Sequence, residues 1–298
     1  MSRIHAQVLP AGRIAYVNGR YLPHRIATVH VEDRGLQFAD SIYEVCAVLG
    51  GRLIDEEGHL DRLERSLKAL GMPMPVARSA LKLVMRETIR KNRLKNGLLY
   101  LQVTRGAHKR DHPMPAASSS TLIMTARPLN IAAIEKRRAQ GVGIVTLPDI
   151  RWGRCDIKST ALLPNIMAKT EARKRGAFEA WLVDRDGFIT EGTSSNAWIV
   201  TEEGVLVTRD LSPGILAGVT RAGVLAALAR EGFNAIEERA FTVDEAYAAR
   251  EAFVTSASGG VIPVVSIDGR VIGDAAPGAA TRRIHALYSE YAVAAATP

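Results

Sequence analysis

Short apolar runs joined by tight turns recur in both halves of this chain, and they point to sheets built by antiparallel pairing. IAYV precedes Asn18-Gly19, a dipeptide that accepts the positive φ angles of a two-residue hairpin turn. FADSIYEVCAVLGGRLID reads as a second strand pair, in which Tyr43 and Val45 share one face because strand side chains alternate. LLYLQVTRG and TLIMTARPL read as a third pair, separated by the Gly-, Pro- and Ser-rich loop GAHKRDHPMPAASSS. GIVTLPDIRW reads as a single strand, and two further pairs turn at Asp186-Gly187 and Glu203-Gly204. EAFVTS and VIPVVSIDGRVIG are expected to close the chain as strands.

Helices fall between these runs. Leu60, Leu63, Leu67 and Leu70 recur at helical steps, and Gly71 and Pro73 end the pattern. A second helix is expected over 79–92. A third carries Leu163, Ile166, Met167 and Thr170 and stops at Gly176. Thr220 is expected to cap a fourth, and Thr242 with Glu245 forms a capping box for a fifth. The second half is strand-rich with few helices, which argues against a purely doubly wound sheet. The expected fold class is mixed α/β (α+β) in two domains. Residues 1–128 form the smaller α/β domain, 129–136 a linker and 137–298 the larger domain.

The composition excludes several classes. Of 298 residues, 47% are hydrophobic and 23% charged, an ordinary globular mixture. No apolar run approaches the ~20 residues of a membrane span, and MSRIHAQVLPAGR lacks the apolar stretch of a secretory signal. Cys46 and Cys155 match no zinc or redox spacing, so a reducing, cytoplasmic setting is expected. The net charge of +8 fits either a nucleic-acid binder or an enzyme with anionic ligands. Bases interleave with acids, as in HLDRLERSLK, which favours small anions over nucleic acid. His108 and His112 have helical metal-ligand spacing but lie in a Gly/Pro loop, so no metal is expected.

Candidate chemistry is scattered. Lys158, in DIKS, lies between a strand and a helix, and a lysine amine can attack a carbonyl. Glu191, in FITEGTSSN, is a carboxylate placed to keep a nearby pyridine nitrogen protonated. SPGILAGVTRAG opens a helix, and TSASGG is a Ser/Gly turn; both suit a phosphate. Arg110 and His112, in an extended KRDHP, point to one side and can fork a carboxylate.

In order, VEDRGLQFADSIYEV, HLDRL, LQVTRG followed by R-x-H, DIKS, TEGTSSN, ILAGVTR and FVTSASGG resemble the fold-type IV pyridoxal-phosphate enzymes. Among these the chain is most similar to the D-amino acid aminotransferases, from about residue 14 to 291. The resemblance implies a small α/β N-terminal domain, a larger barrel-like C-terminal domain and pyridoxal 5'-phosphate in the cleft between them. It implies that Lys158 carries the cofactor as a Schiff base and acts as the base. It assigns Glu191 to the pyridine nitrogen, and Arg62, Val219, Thr220, Ser256 and Ala257 to the phosphate. Leu216 packs on the ring and Ser194 lies near the cofactor. Tyr43 and Val45 line the substrate site, and Arg110 and His112 reach the substrate carboxylate of a neighbouring subunit, so a homodimer is implied. The partners are amino acids and 2-oxo acids, with D-alanine and 2-oxoglutarate as the pattern.

The chain departs from that pattern at three places. Ala257 replaces a phosphate-binding threonine, which predicts weaker cofactor retention unless Ser258 compensates. Ser41 replaces a glycine before the active-site tyrosine, and Gly260 stands where relatives often carry glutamate. Branched-chain L-amino acid aminotransferase, aminodeoxychorismate lyase and R-selective amine transaminase remain alternatives on the same scaffold. Arg110 with His112 speaks against the first and last, and Tyr43 against the lyase. A non-catalytic nucleic-acid binder is the alternative of another class, supported by the basic charge alone.

Overall fold

A computed structural model describes residues 12–116 and 119–296. The first half builds one sheet from β1 (Ile14–Val17), β2 (Arg20–Pro23), β3 (Ser41–Leu49), β4 (Arg52–Leu53), β5 (Gly97–Thr104) and β6 (Thr121–Pro128). Their order is β2-β1-β6-β5-β3-β4, and the pairing is antiparallel throughout. Asn18 and Gly19 take φ of 43° and 85°, so the first hairpin closes as its sequence predicts. Between the strands lie α1 (Arg34–Phe38), α2 (Glu56–Ala69) and α3 (Arg78–Lys91).

Alternation decides which face of this sheet does what. Ile42, Leu99 and Leu101 join Leu60, Leu63, Leu67, Leu81 and Met85 of α2 and α3 in one core. Each such side chain, fully buried, contributes about 1.5–3 kcal/mol. The other face carries Tyr43, paired with Gln102, and Val45, paired with Tyr100. It is turned toward the second half of the chain.

The chain crosses over after β6. Residues 129–136, expected as a linker, run straight into α4 (Ile131–Gln140). Asn130 caps this helix, its Oδ1 accepting the Ala133 N–H at 3.0 Å, and Ile134 belongs to the second core. Next come β7 (Val142–Pro148), α5 (Leu163–Lys174), β8 (Glu179–Val183), β9 (Ile189–Gly192), β10 (Asn196–Val200) and β11 (Leu206–Thr208). The remainder is α6 (Val219–Arg230), β12 (Ile236–Glu238), α7 (Val243–Tyr247), β13 (Glu251–Ser256), β14 (Gly260–Ile267), β15 (Arg270–Val271) and α8 (Ala279–Ala294).

The second sheet runs β12-β11-β10-β13-β14-β7-β8-β9, with β15 on β14. It is mixed: β14–β7, β7–β8 and β11–β12 are parallel. The sheet curls until its last strand returns beside β10, where the Gly192 N–H donates to Ser195 O at 2.7 Å. This is the barrel-like half that the resemblance implied. Trp181, Phe241 and Val254 fill one side, while α6 and α8 pack over Trp198 and Phe253 on the other.

Three local expectations are corrected. The chain closes with α8, not with strands. Its buried face is Thr281, Ile284, Tyr288 and Ala292, a mixture too polar and too small to show as an apolar stripe. Thr220 is not the cap of α6: Gly218 is, with no side-chain cap bond, and Thr220 is buried in the first turn. The stripe on α5 has helical spacing but faces outward, with Leu163, Ile166 and Met167 exposed at 66%, 57% and 55%. The packed side of α5 carries Ala168 and Ala172 instead. No helix among the described residues is long and apolar enough to cross a membrane.

Candidate active site

A cavity of about 340 Å3 lies between the two sheets. Tyr43, Val45, Arg62, Lys158, Glu191, Ser194, Leu216, Val219, Thr220, Ser256 and Ala257 all line it. Residues more than two hundred positions apart in sequence therefore meet in one place.

Lys158 is held by its backbone. Its carbonyl accepts the Tyr43 N–H at 3.0 Å, its own N–H meets Ser66 Oγ at 3.3 Å, and Thr160 N–H donates to Ser41 O at 3.1 Å. Ile157, just before it, is buried in the first core. Ser41 explains one departure: its hydroxyl meets Thr160 Oγ1 at 2.5 Å and accepts from Gln102 Nε2 at 3.1 Å. It ties the lysine segment to the sheet, which a glycine cannot do. The Lys158 Nζ then sits 4.3 Å from the centre of the Tyr43 ring.

Glu191 lies within β9, not after it, and is buried. Its Oε1 accepts from Arg151, and its Oε2 accepts from Asn196 Nδ2 and the Leu216 N–H, each at 3.1 Å. Burial pushes its pKa up, against the pull of the Arg151 charge. A carboxylate has about four lone-pair positions, so these three donors leave one for a pyridine N–H. Arg151 is in turn gripped by Asp149, through Nε at 3.0 Å and Nη2 at 2.7 Å, and by Gly214 O at 3.1 Å. The sequence reading missed Asp149 and Arg151, because PDIRW gave no signal beyond a strand, and gave Asn196, in TEGTSSN, no role of its own.

The other end of the cavity is an anion site. Gly218 leaves the start of α6 without a side-chain cap. Among the described residues, the amides of Val219, Thr220, Ala257 and Ser258 donate to no protein group. Helix-start and turn amides of this kind favour a phosphate. Arg62 lies beside them, its Nη1 on Ala217 O at 2.9 Å. Glu44 fixes its fork, accepting from Nε at 2.8 Å and Nη2 at 2.6 Å, and His59 Nδ1 approaches Glu44 at 2.7 Å. Burial alone would raise the Glu44 pKa; the charge and hydrogen bonds of Arg62, with His59, hold it down at about 2. A lone acid on the core side of β3 was the available signal for Glu44.

The turn that carries Ala257 is braced from behind. Arg138 Nη2 donates to Gly259 O at 2.8 Å. Gly260 has φ +64°, and a Cβ there would come within 3.2 Å of that Nη2. The absence of a side chain at 260 thus makes room for the brace. Losing one charge-assisted bond costs about 1.5–3 kcal/mol, so Arg138→Ala is expected to weaken cofactor binding roughly 10-fold or more. Titration of the stripped protein with pyridoxal phosphate measures this; an unchanged Kd contradicts the bracing role.

One expected contact is placed differently. The Ser194 hydroxyl and N–H donate to Glu179 Oε1 at 2.8 and 2.9 Å. Thr193 Oγ1 and Ser195 Oγ also donate to this buried carboxylate, at 2.7 and 2.5 Å. Ser194 therefore lines the cavity while its hydroxyl proton serves Glu179, another residue the sequence reading missed. Arg110 and His112 do not line the cavity of their own chain. Both pack on Phe38, at 5.1 and 5.8 Å from its ring centre, and Arg34 holds the loop through Asp111 O at 2.6 Å.

Comparison with known proteins agrees with this geometry. The family model described as amino-transferase class IV matches residues 41–267. A D-alanine aminotransferase of Bacillus licheniformis is 42% identical over 90% of this chain and 93% of its own length. One from Listeria monocytogenes is 35% identical over 94% and 96%. Among solved structures, a branched-chain aminotransferase from the thermophilic archaeon Thermoproteus uzoniensis, with norvaline, superposes with a TM-score of 0.85. It is 27% identical, with 95% of each chain covered. An amine-bearing lysine, a buried carboxylate and a cluster of free amides fit pyridoxal 5'-phosphate at its three ends, and with these matches they show that the chain belongs to the class IV aminotransferases.

Proposed function

We propose that this enzyme moves the amino group of a D-amino acid to a 2-oxo acid, with D-alanine and 2-oxoglutarate as the pattern, and works as a cytoplasmic homodimer. The observation that carries the reading is Lys158 and Glu191 facing one cavity whose far end is lined with unpaired amides. Relatives named D-alanine aminotransferase support the D-configuration.

Bound pyridoxal phosphate supplies the conjugated ring that receives the electron pair of the breaking Cα–H bond. The chain does the rest. Lys158 Nζ would anchor the cofactor, and its freed amine would take the Cα proton. Glu191, paired with Arg151, would hold positive charge at the ring nitrogen. Arg62 and the amides of Val219, Thr220, Ala257 and Ser258 would hold the phosphate, and Leu216 would pack on the ring. Tyr43 and Val45 form the sheet-side wall for substrate.

The dimer rests on two features. Arg110 and His112 lie outside the cavity of their own chain, which is compatible with a role in a neighbour's. Leu163, Ile166 and Met167 of α5 are exposed apolar side chains, as is Trp152 at the cavity. Cys46 and Cys155 are free thiols, which suits a reducing compartment. The change of sheet after β6 supports a domain division at residue 128.

Racemic alanine with 2-oxoglutarate tests the stereochemistry. Consumption is expected to stop at half, leaving L-alanine; conversion of L-leucine in place of D-alanine favours the branched-chain alternative. Arg110→Ala is expected to raise the KM for D-alanine about 10- to 100-fold, the worth of a charged fork on a carboxylate. An unchanged KM removes Arg110 from carboxylate binding.

A further inference from the structure

Several cationic side chains line the cavity, and all but one are accounted for. Arg62 is committed to Glu44, and Arg151 to Asp149 and Glu191. Lys158 is the cofactor amine. Arg127 also lines the cavity, and among the described residues its guanidinium makes no ion pair or hydrogen bond. No acid competes for it: Glu191 is the one carboxylate among the described lining residues, and Arg151 neutralises it.

The sheet register gives Arg127 a direction. It stands on β6 opposite Leu98 of β5, which stands opposite Ala47 of β3. Alternation places it on the same face as Tyr43 and Val45. At about 3.3 Å per residue, its row lies roughly 13 Å along the strands from the Tyr43 row. A substrate that reacts beside Lys158 with its α-carboxylate at the Tyr43 end directs its side chain past Val45 and Leu98 toward Arg127. The two apolar residues suit methylenes, and the guanidinium fork suits a terminal carboxylate.

We infer that Arg127 forms a second carboxylate subsite, which binds the side-chain carboxylate of four- or five-carbon dicarboxylic amino acids and 2-oxo acids. This rests on the transaminase reading above and names the substrate class of that site. Arg127 is a specificity residue and takes no part in proton transfer.

The test compares 2-oxoglutarate with 2-oxobutyrate as acceptors from D-alanine, in the wild-type holoenzyme and in Arg127→Gln and Arg127→Lys. The kcat/KM ratio of 2-oxoglutarate to 2-oxobutyrate is expected to fall about 10- to 50-fold in Arg127→Gln, through KM, and less in Arg127→Lys, which keeps the charge but loses the fork. An unchanged ratio, whether both acceptors hold or both decline together, overturns the subsite. Wild-type enzyme that aminates neither acceptor instead overturns the transaminase reading.

Discussion

Lys158→Ala is expected to lose transamination by about 10⁴-fold or more, because the same amine anchors the cofactor and moves the proton. The fold should be indifferent to the change. Its hydrogen bonds at this position are backbone ones, Tyr43 N–H to Lys158 O and Lys158 N–H to Ser66 Oγ, and alanine keeps both, losing only the Nζ contact with the Tyr43 ring. The melting temperature should therefore stay within a few degrees. A small amine added to the variant should restore part of the rate, since the missing group is a base at one place. Steady-state rates with D-alanine, with and without methylamine, decide the matter. A variant that keeps more than a few per cent of wild-type activity would show that another residue does this work.

Glu191→Gln is expected to lower kcat by about 10²–10³-fold, as does removal of one charge-stabilising group in other active sites. The amide has the same shape but cannot hold a proton on the ring nitrogen. Some stability is lost too, about 1–3 kcal/mol, because a buried partner of Arg151 is removed. Arg151 retains Asp149, which limits the damage. A kcat within threefold of wild type, in a folded variant with cofactor bound, contradicts the assignment.

Two buried carboxylates should respond to pH with opposite sign. Burial raises the Glu191 pKa, so the folded state binds that proton more tightly than the unfolded chain. In protein without cofactor, its ionised form costs stability that is recovered as pH falls into the raised range. Glu44 is depressed to about 2 by Arg62 and His59, despite its burial. Its contribution is present above the ordinary carboxylate range and is lost as pH falls toward 2.

What the sequence made legible is what local chemistry encodes. The Asn18-Gly19 hairpin, the leucine stripe of α2 and the Thr242–Glu245 capping box each depend on residues a few positions apart. The motif order carried the cofactor residues. The residues that steady them were hidden, because their partners lie far along the chain. Glu44 reaches Arg62 across 18 positions, Arg151 reaches Glu191 across 40, and Arg138 reaches Gly259 across 121. No local pattern marks such pairs. Helix α8 was hidden for another reason: its buried face mixes Thr281, which donates to Glu251, with Ile284, Tyr288 and Ala292, so no apolar stripe shows. The outward stripe on α5 showed the reverse, a correct period whose buried face is made of alanines.

The most direct test of the account is borohydride reduction of the purified, cofactor-loaded protein, followed by peptide mass mapping. The account predicts one stable phosphopyridoxyl adduct, on the peptide containing Lys158, and none when D-alanine has first converted the cofactor to its amine form. An adduct on another lysine, or no adduct in protein that still transaminates, contradicts it.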